Sequence, residues 1–281
     1  MTDPEEQRAE IREHWEGAAA GWSKHADDFE QATMPVAQWM VDAIAPQPGQ
    51  TVLEVGAGLG DTGFLAAELL EPGGRLISTD GAEAMVEVAK ERAARRGLRN
   101  VEFRTMELEW LDQPTATVDA ILGRFTYMLV VDPEAALREA RRVLKPGGRL
   151  AIAVWDAPEH NTWMTTPGEE LRRITGDPPP PDGPGPFSLA DRTALTELLR
   201  DAGFDEVTVE PIDVVVAAPS LDALWERLSE MSPSMRDVLP RLSPADTYRL
   251  RDAIDARWAA HVRDDGSVAI PGRALGVRAE A

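Results

Sequence analysis

The chain is 281 residues long, 43% hydrophobic and 28% charged, a balance that suits one large domain or a core with an appendage and excludes a disordered or fibrous polypeptide. Its 29 basic and 49 acidic side chains leave a formal charge of −20, so nucleic acid is not the expected partner. Cysteine is absent, which excludes disulfides and thiolate chemistry; the four histidines lack metal-ligand spacing and neither a signal peptide nor an apolar span is evident, so a cytoplasmic protein with no metal site is expected.

Residues 1–48 read as a helical cap: Ile11, Trp15 and Ala18 or Ala19 share one face, and Val36, Met40, Val41 and Ile44 repeat the pattern. Pro46, Pro48 and Gly49 close it. From Thr51 the texture changes to short strands alternating with helices. Thr51–Gly56 is an apolar run ended by glycine, and the helix after it stops at Pro72-Gly73-Gly74. Arg75–Asp80 is a second strand, and Ala82–Arg96 a helix that Gly97 terminates. Asn100–Met106 is a third strand. Val118–Phe125 is a fourth, apolar enough to be buried on both faces. Asp132 and Pro133 supply the cap and first turn of a helix that ends at Lys145-Pro146-Gly147-Gly148, and Arg149–Trp155 is the fifth strand. This alternation predicts a parallel sheet with right-handed crossovers.

Residues 156–187 break the rhythm and are expected as an active-site loop, since Gly176–Pro186 alone carries six prolines. Ser188 is expected to cap a helix through Leu199, and Val207–Ala218 is a long strand. Residues 220–264 read as a helical insertion and residues 265–281 as the last core strand, so the core proper is 49–219. The eight tryptophans are mostly expected in the interior.

The chemistry concentrates at Leu53-Glu54-Val55-Gly56-Ala57-Gly58-Leu59-Gly60. Glycines after a strand permit a tight turn and let a ligand touch the backbone, while the next helix aims its partly positive N-terminus at the site. Asp80 ends the second strand, where a carboxylate can accept both hydroxyls of a ribose. Glu107-Leu108-Glu109 follows the third strand and suits an adenine edge, or is simply solvated. Glu54 is expected to place a negative charge near the mouth, repelling a pyrophosphate and welcoming a cationic amino group. Gly58, Gly60 and Gly63 also fit a dinucleotide fingerprint, which makes an NAD-dependent oxidoreductase the rival on this motif alone.

The stretches VLEVGAGLGDTG, LISTDGAEAMVEVAKERA, FRTMELEW, VDAILGRFTYMLVVDPEAALREARRVLKPGGRLAIAVW and AAAGW resemble the class I S-adenosylmethionine methyltransferases, particularly those similar to the ubiquinone and menaquinone biosynthesis C-methyltransferases. The resemblance covers roughly residues 15–218. It implies a Rossmann-like α/β fold: a seven-stranded, mostly parallel sheet whose antiparallel last strand, Val268–Val277, lies beside 207–218. It implies S-adenosyl-L-methionine as cofactor, with Gly56, Ala57 and Gly58 lining it and Glu54 toward its amino end. Asp80 would hold the ribose, Met85 would lie near the adenine, Glu107 and Leu108 would take its edge, and Arg124 and Phe125 would sit over the cofactor. Trp22 and Gly81 join this set by position. One departure stands out: the family's usual Asp-Ala-Glu is here Glu107-Leu108-Glu109, a longer acid and a bulkier apolar residue that shift the adenine contact.

The implied reaction moves a methyl group to an O, C or N of a small, aromatic or quinone-like molecule. Met128, Trp155, His160, Trp163, Trp225 and Met231 are the candidate substrate linings. His160 stands either as a general base or as an ordinary loop histidine. A second reading keeps the cofactor for another use, such as a cyclisation.

Overall fold

The computed structural model describes residues 3–179 and 183–281, so the middle of the proline-rich segment, Pro180, Pro181 and Asp182, lies outside the described residues. Two helices come first, α1 (Pro4–Lys24) and α2 (Ala26–Ile44). Asp3 caps α1 by accepting the Glu5 N–H, and Pro4 takes a first-turn position whose N–H has no helical partner anyway. Helix α2 buries Val36, Ala37, Met40, Val41 and Ile44, the apolar stripe visible in the sequence.

The sheet then builds from β1 (Thr51–Glu54), β2 (Arg75–Asp80), β3 (Val101–Thr105), β4 (Val118–Arg124) and β5 (Leu144–Trp155), with α3 (Asp61–Leu69), α4 (Glu83–Arg96) and α5 (Pro133–Val143) as connections. Residues such as Leu53, Ile121, Leu122 and Ile152 are fully buried, because helices cover both faces of the sheet. Each such side chain stabilises the fold by roughly 1.5–3 kcal/mol relative to exposure. Register is set by Leu53 opposite Ile77 on one side and Ile121 on the other. Gly97 ends α4 with φ +74°, and Asp132 caps α5 by accepting the Ala135 N–H.

After β5 come α6 (Thr162–Thr175), α7 (Arg192–Asp201) and β6 (Asp205–Ala218); then α8 (Leu221–Met231), α9 (Pro233–Val238), α10 (Pro244–Trp258) and β7 (Val268–Glu280). The strand order is β3-β2-β1-β4-β5-β7-β6. Strand β7 enters between β5 and β6, antiparallel to both, which gives the seven-stranded, mostly parallel sheet expected of a Rossmann-like core. The chain runs outward from β1 to β3 and then returns to β4 on the other side. That reversal opens a crevice at the carboxyl ends of β1 and β4.

Three local expectations are corrected. Half of the supposed 156–187 loop is helix, because Trp163, Pro167 and Leu171 recur every fourth residue and are buried as one stripe of α6. Asp191, not Ser188, caps α7, since its carboxylate accepts the Thr193 and Ala194 N–H groups while the Ser188 hydroxyl donates to the Met128 carbonyl. Trp110 is 55% exposed instead of internal, lying under the Arg8 guanidinium at 4.6 Å. Among the described residues no helix is long and apolar enough to cross a membrane, and no cluster of three acidic or histidine side chains suits a metal ion.

Candidate functional site

The crevice is a cleft with a cavity volume of about 140 Å³ that opens to solvent. Its floor is backbone. Gly56, Gly58 and Gly60 all have positive φ, at +56°, +55° and +85°, a region side chains strongly disfavour. A Cβ on Gly56 would lie 2.5 Å from Thr126 Cβ, whereas one on Gly58 would stand in open space facing the cleft. Ala57 donates its N–H to the Thr79 carbonyl, pinning the turn to β2.

Asp80 completes the floor. One carboxylate oxygen accepts the Gly58 N–H at 2.8 Å and the other accepts the Ala82 N–H at 2.9 Å, so the strand end and the glycine turn are fixed together. Burial pushes Asp80 up to about 6, against the lowering effect of those two N–H bonds. Beside it, Asp61 at the head of α3 is held by Arg92 and, at 3.0 Å, by Arg124, which also donates to the Thr33 hydroxyl. The pair of guanidiniums makes this buried carboxylate a closed ion cluster.

Gly81, Met85, Glu107, Leu108 and Glu109 line the β2–β3 side of the cleft. Gly56, Thr126, Arg124 and Phe125 line the β1–β4 side. Phe125 has φ +58°, a left-handed conformation rare for a bulky residue and costing on the order of 1–3 kcal/mol. Two contacts hold it there: its N–H donates to the Ala153 carbonyl at 2.7 Å, and its ring stacks on Trp155 at 3.9 Å and 9°.

The outer wall is α1 with the start of α2. Arg8, Ile11, Arg12, Trp15, Trp22 and Phe29 face the cleft. Trp15, Trp22 and Phe29 meet edge to face at 5.6 and 4.8 Å, and Phe29 reaches Phe125 at 6.5 Å. Ion pairs fasten the wall: Arg8 to Glu109 and Arg12 to Glu107. Glu16 accepts the Glu83 and Ala84 N–H groups, so α1 caps α4, whose own Ala82 offers no side chain for the purpose.

Of the expected cofactor residues, Trp22, Gly56, Ala57, Gly58, Asp80, Gly81, Met85, Glu107, Leu108, Arg124 and Phe125 come together around this cleft. Glu54 does not. Its carboxylate lies beneath the turn, accepting the Gly63 N–H at 2.7 Å and the Ser78 hydroxyl at 3.1 Å, and burial pushes it up to about 7. The expectation of a negative charge at the mouth is therefore corrected: Glu54 anchors the first turn of α3 from behind.

None of the expected substrate linings reaches the cleft wall. Trp155 backs Phe125, and Trp163 packs edge-on against Trp155 at 5.4 Å. Met128 is buried behind the post-β4 turn, Trp225 lies under the Arg251 guanidinium, and Met231 ends α8. His160 pairs with Asp156, which Arg192 also holds, beyond the end of β5. Arg8, Arg12, Trp15, Phe29, Asp61 and Thr126 also line the cleft, although the sequence pattern does not single them out for it. One signal was available: residues 8, 15 and 22 are seven apart, the spacing that keeps side chains on one face of α1, and Phe29 continues the spacing into α2.

A profile described as a methyltransferase domain matches residues 46–173. The nocamycin O-methyltransferase of Saccharothrix syringae is 31% identical over 200 residues, covering 68% of this chain and 71% of that protein. A ubiquinone/menaquinone biosynthesis C-methyltransferase of Cellvibrio japonicus is 34% identical over 129 residues, 46% of this chain and 51% of that protein. With several curated relatives the match spans about half of their length, 41%, 51% and 54% in three cases. Among solved structures, a SAM-dependent methyltransferase from Aquifex aeolicus shares the fold with a TM-score of 0.52 and 26% identity, covering 68% of this chain and 90% of that one.

Proposed function

Since this chain belongs to the S-adenosylmethionine-dependent methyltransferases, we propose that it transfers the methyl group of S-adenosyl-L-methionine to a small aromatic or quinone-like molecule bound between the glycine turn and the α1–α2 wall. The observation that carries this reading is the fit of the floor to the nucleoside. Gly58 leaves open space where a side chain would stand, directly beside a carboxylate at the end of β2.

In this reading Asp80 accepts the ribose hydroxyls with lone pairs its two N–H partners leave free, and Met85 and Leu108 cover the adenine. Glu107 takes the adenine amino group. When bound, S-adenosylmethionine supplies an activated methyl group on a positively charged sulfur that is itself the leaving group. The protein's own task is alignment and exclusion of water. Trp15, Trp22 and Phe29 offer flat apolar surface for a planar acceptor and shield the transfer point.

No histidine, tyrosine, lysine or cysteine lies among the described residues lining the cleft, and its carboxylates are engaged by arginine or backbone N–H groups. An acceptor that arrives already ionised or enolised suits such a wall better than one needing a base. Calorimetry with S-adenosylmethionine and S-adenosylhomocysteine is expected to give micromolar binding. Methyl-labelled donor is then expected to mark acidic phenols, quinols or enols before amines. Binding of NADH in place of both sulfur ligands would overturn the reading.

A further inference from the structure

Phe125 is held in a conformation its side chain disfavours, buried in the lining of the cleft at 9% exposure, with one face occupied by Trp155. Structures tolerate such backbone strain where surrounding contacts over-determine it, and the Ala153 hydrogen bond and the Trp155 stack do so here. What the strain achieves is placement. The ring lines the cleft beside Gly56 and Thr126, on the β1–β4 side.

That side is where the sulfur of a bound nucleoside belongs. With the adenine toward Leu108 beyond β3 and the ribose on Asp80 at the end of β2, the next position along the strand order is the end of β1 and β4. Phe29, whose ring meets Phe125 edge to face at 6.5 Å and Trp22 at 4.8 Å, already faces a cation, the Arg124 guanidinium at 5.4 Å. Arg124 is neutralised by Asp61. None of the described arginines or lysines lies over Phe125.

We propose that Phe125 is a seat for the cofactor's positive sulfonium, its ring attracting the charged donor more than the neutral thioether left after transfer. The inference rests on the proposed function and deepens it. An aromatic face attracts a cation through its quadrupole and gains nothing comparable from an uncharged sulfur. The seat therefore tightens on the donor and loosens as the methyl group leaves, which favours release of product. Trp155 acts through Phe125 as a positioning residue.

Binding alone tests this, with no need for an acceptor. Calorimetry on the full chain compares S-adenosylmethionine, its charged analogue sinefungin, and neutral S-adenosylhomocysteine. Phe125→Leu is expected to weaken the two cations by roughly 5- to 30-fold and the thioether by less than about twofold. Phe125→Tyr is expected to restore the discrimination. Because the leucine variant also loses the Trp155 stack, a second replacement uses pentafluorophenylalanine at position 125, which keeps the ring and its packing but reverses its quadrupole. The same selective loss is expected there. Equal weakening of all three ligands, or no change in any, would overturn the seat while leaving the cofactor reading intact. A wild-type protein that binds none of the three would overturn both.

Discussion

The floor of the cleft and its outer wall are made by different physics. The floor is main chain: glycines with positive φ, N–H groups bonded to Asp80, and apolar strands buried on both faces. The wall is side chain: α1 is fastened by Arg8 to Glu109, by Arg12 to Glu107, and by Glu16 to the head of α4. Backbone conformations cannot be adjusted in small steps, so the floor tolerates little substitution. Charged side chains can be exchanged one at a time, and their attraction is screened by salt.

The sharpest break of that contrast is at Gly56. A Cβ there meets Thr126 and must also accept φ +56°. Gly56→Ala is expected to lower affinity for S-adenosylhomocysteine by roughly 100-fold in calorimetry. An unchanged affinity would mean the floor is as adaptable as the wall.

Asp80 comes next, through pH. Burial holds it at about 6, and in the proposed reading the ionised form accepts ribose hydroxyls on both oxygens whereas the protonated form gives up one of them as an acceptor. Binding is therefore strongest above that value and weakens as protons neutralise the carboxylate. Affinity for S-adenosylhomocysteine is expected to fall about 10-fold from about pH 7 to about pH 5. Asp80→Asn is expected to bind weakly at both and to remove the dependence. A wild-type affinity flat across that range would remove Asp80 from the ribose.

The same contrast explains what the sequence let through. Strands β1, β2, β4 and β5 are local signals, apolar runs ended by glycine or a capping aspartate, and so is the glycine turn with its acid at residue 80. The burial of Glu54 is not legible locally, because its partner, the Gly63 N–H, lies within the helix that follows, and nothing in the strand itself says that the side chain turns beneath the loop. The wall depends on long-range pairs such as Arg8 with Glu109, 101 residues apart, which no local pattern encodes. The expected role of Trp225 and Met231 assumed that the 220–264 insertion covers the cleft. Instead α8 docks at the junction of α1 and α2, where Lys24 and His25 meet Glu230.

Glu54 then sharpens the comparison from below the floor. Its carboxyl is pushed from 4.5 to about 7, chiefly by burial. The folded state thus keeps a proton that the unfolded chain releases. The stability contributed by that proton is fully present below 4.5 and is lost as pH rises through about 7. Glu54→Gln keeps an oxygen for the Gly63 N–H without a buried charge. The variant is expected to gain on the wild type as pH rises, on the order of 1 kcal/mol or a few degrees in thermal melts. Parallel melting curves for the two proteins would instead mean that Glu54 titrates as it does in water.

The smallest effect is expected at the wall, and it separates the two ion pairs that hold α1. Arg12 and Glu107 are 49% and 35% exposed, so water screens them and the pair contributes about 0–1 kcal/mol. Arg12→Ala is expected to move the melting temperature by less than about 2 °C and cofactor affinity by less than about threefold, because freeing Glu107 for the adenine offsets the lost contact. Raising salt on the wild type is expected to reproduce it. The Arg8 partner differs: Glu109 is buried at 3% exposure and, without the guanidinium, keeps only the Asp132 N–H on that oxygen. A stranded buried carboxylate is costly, so Arg8→Ala is expected to loosen α1 and raise amide hydrogen exchange along it, by an amount salt does not mimic. If the two variants behave alike, the wall is held by its apolar contacts at Ala18 and Ala19, and its charges are incidental.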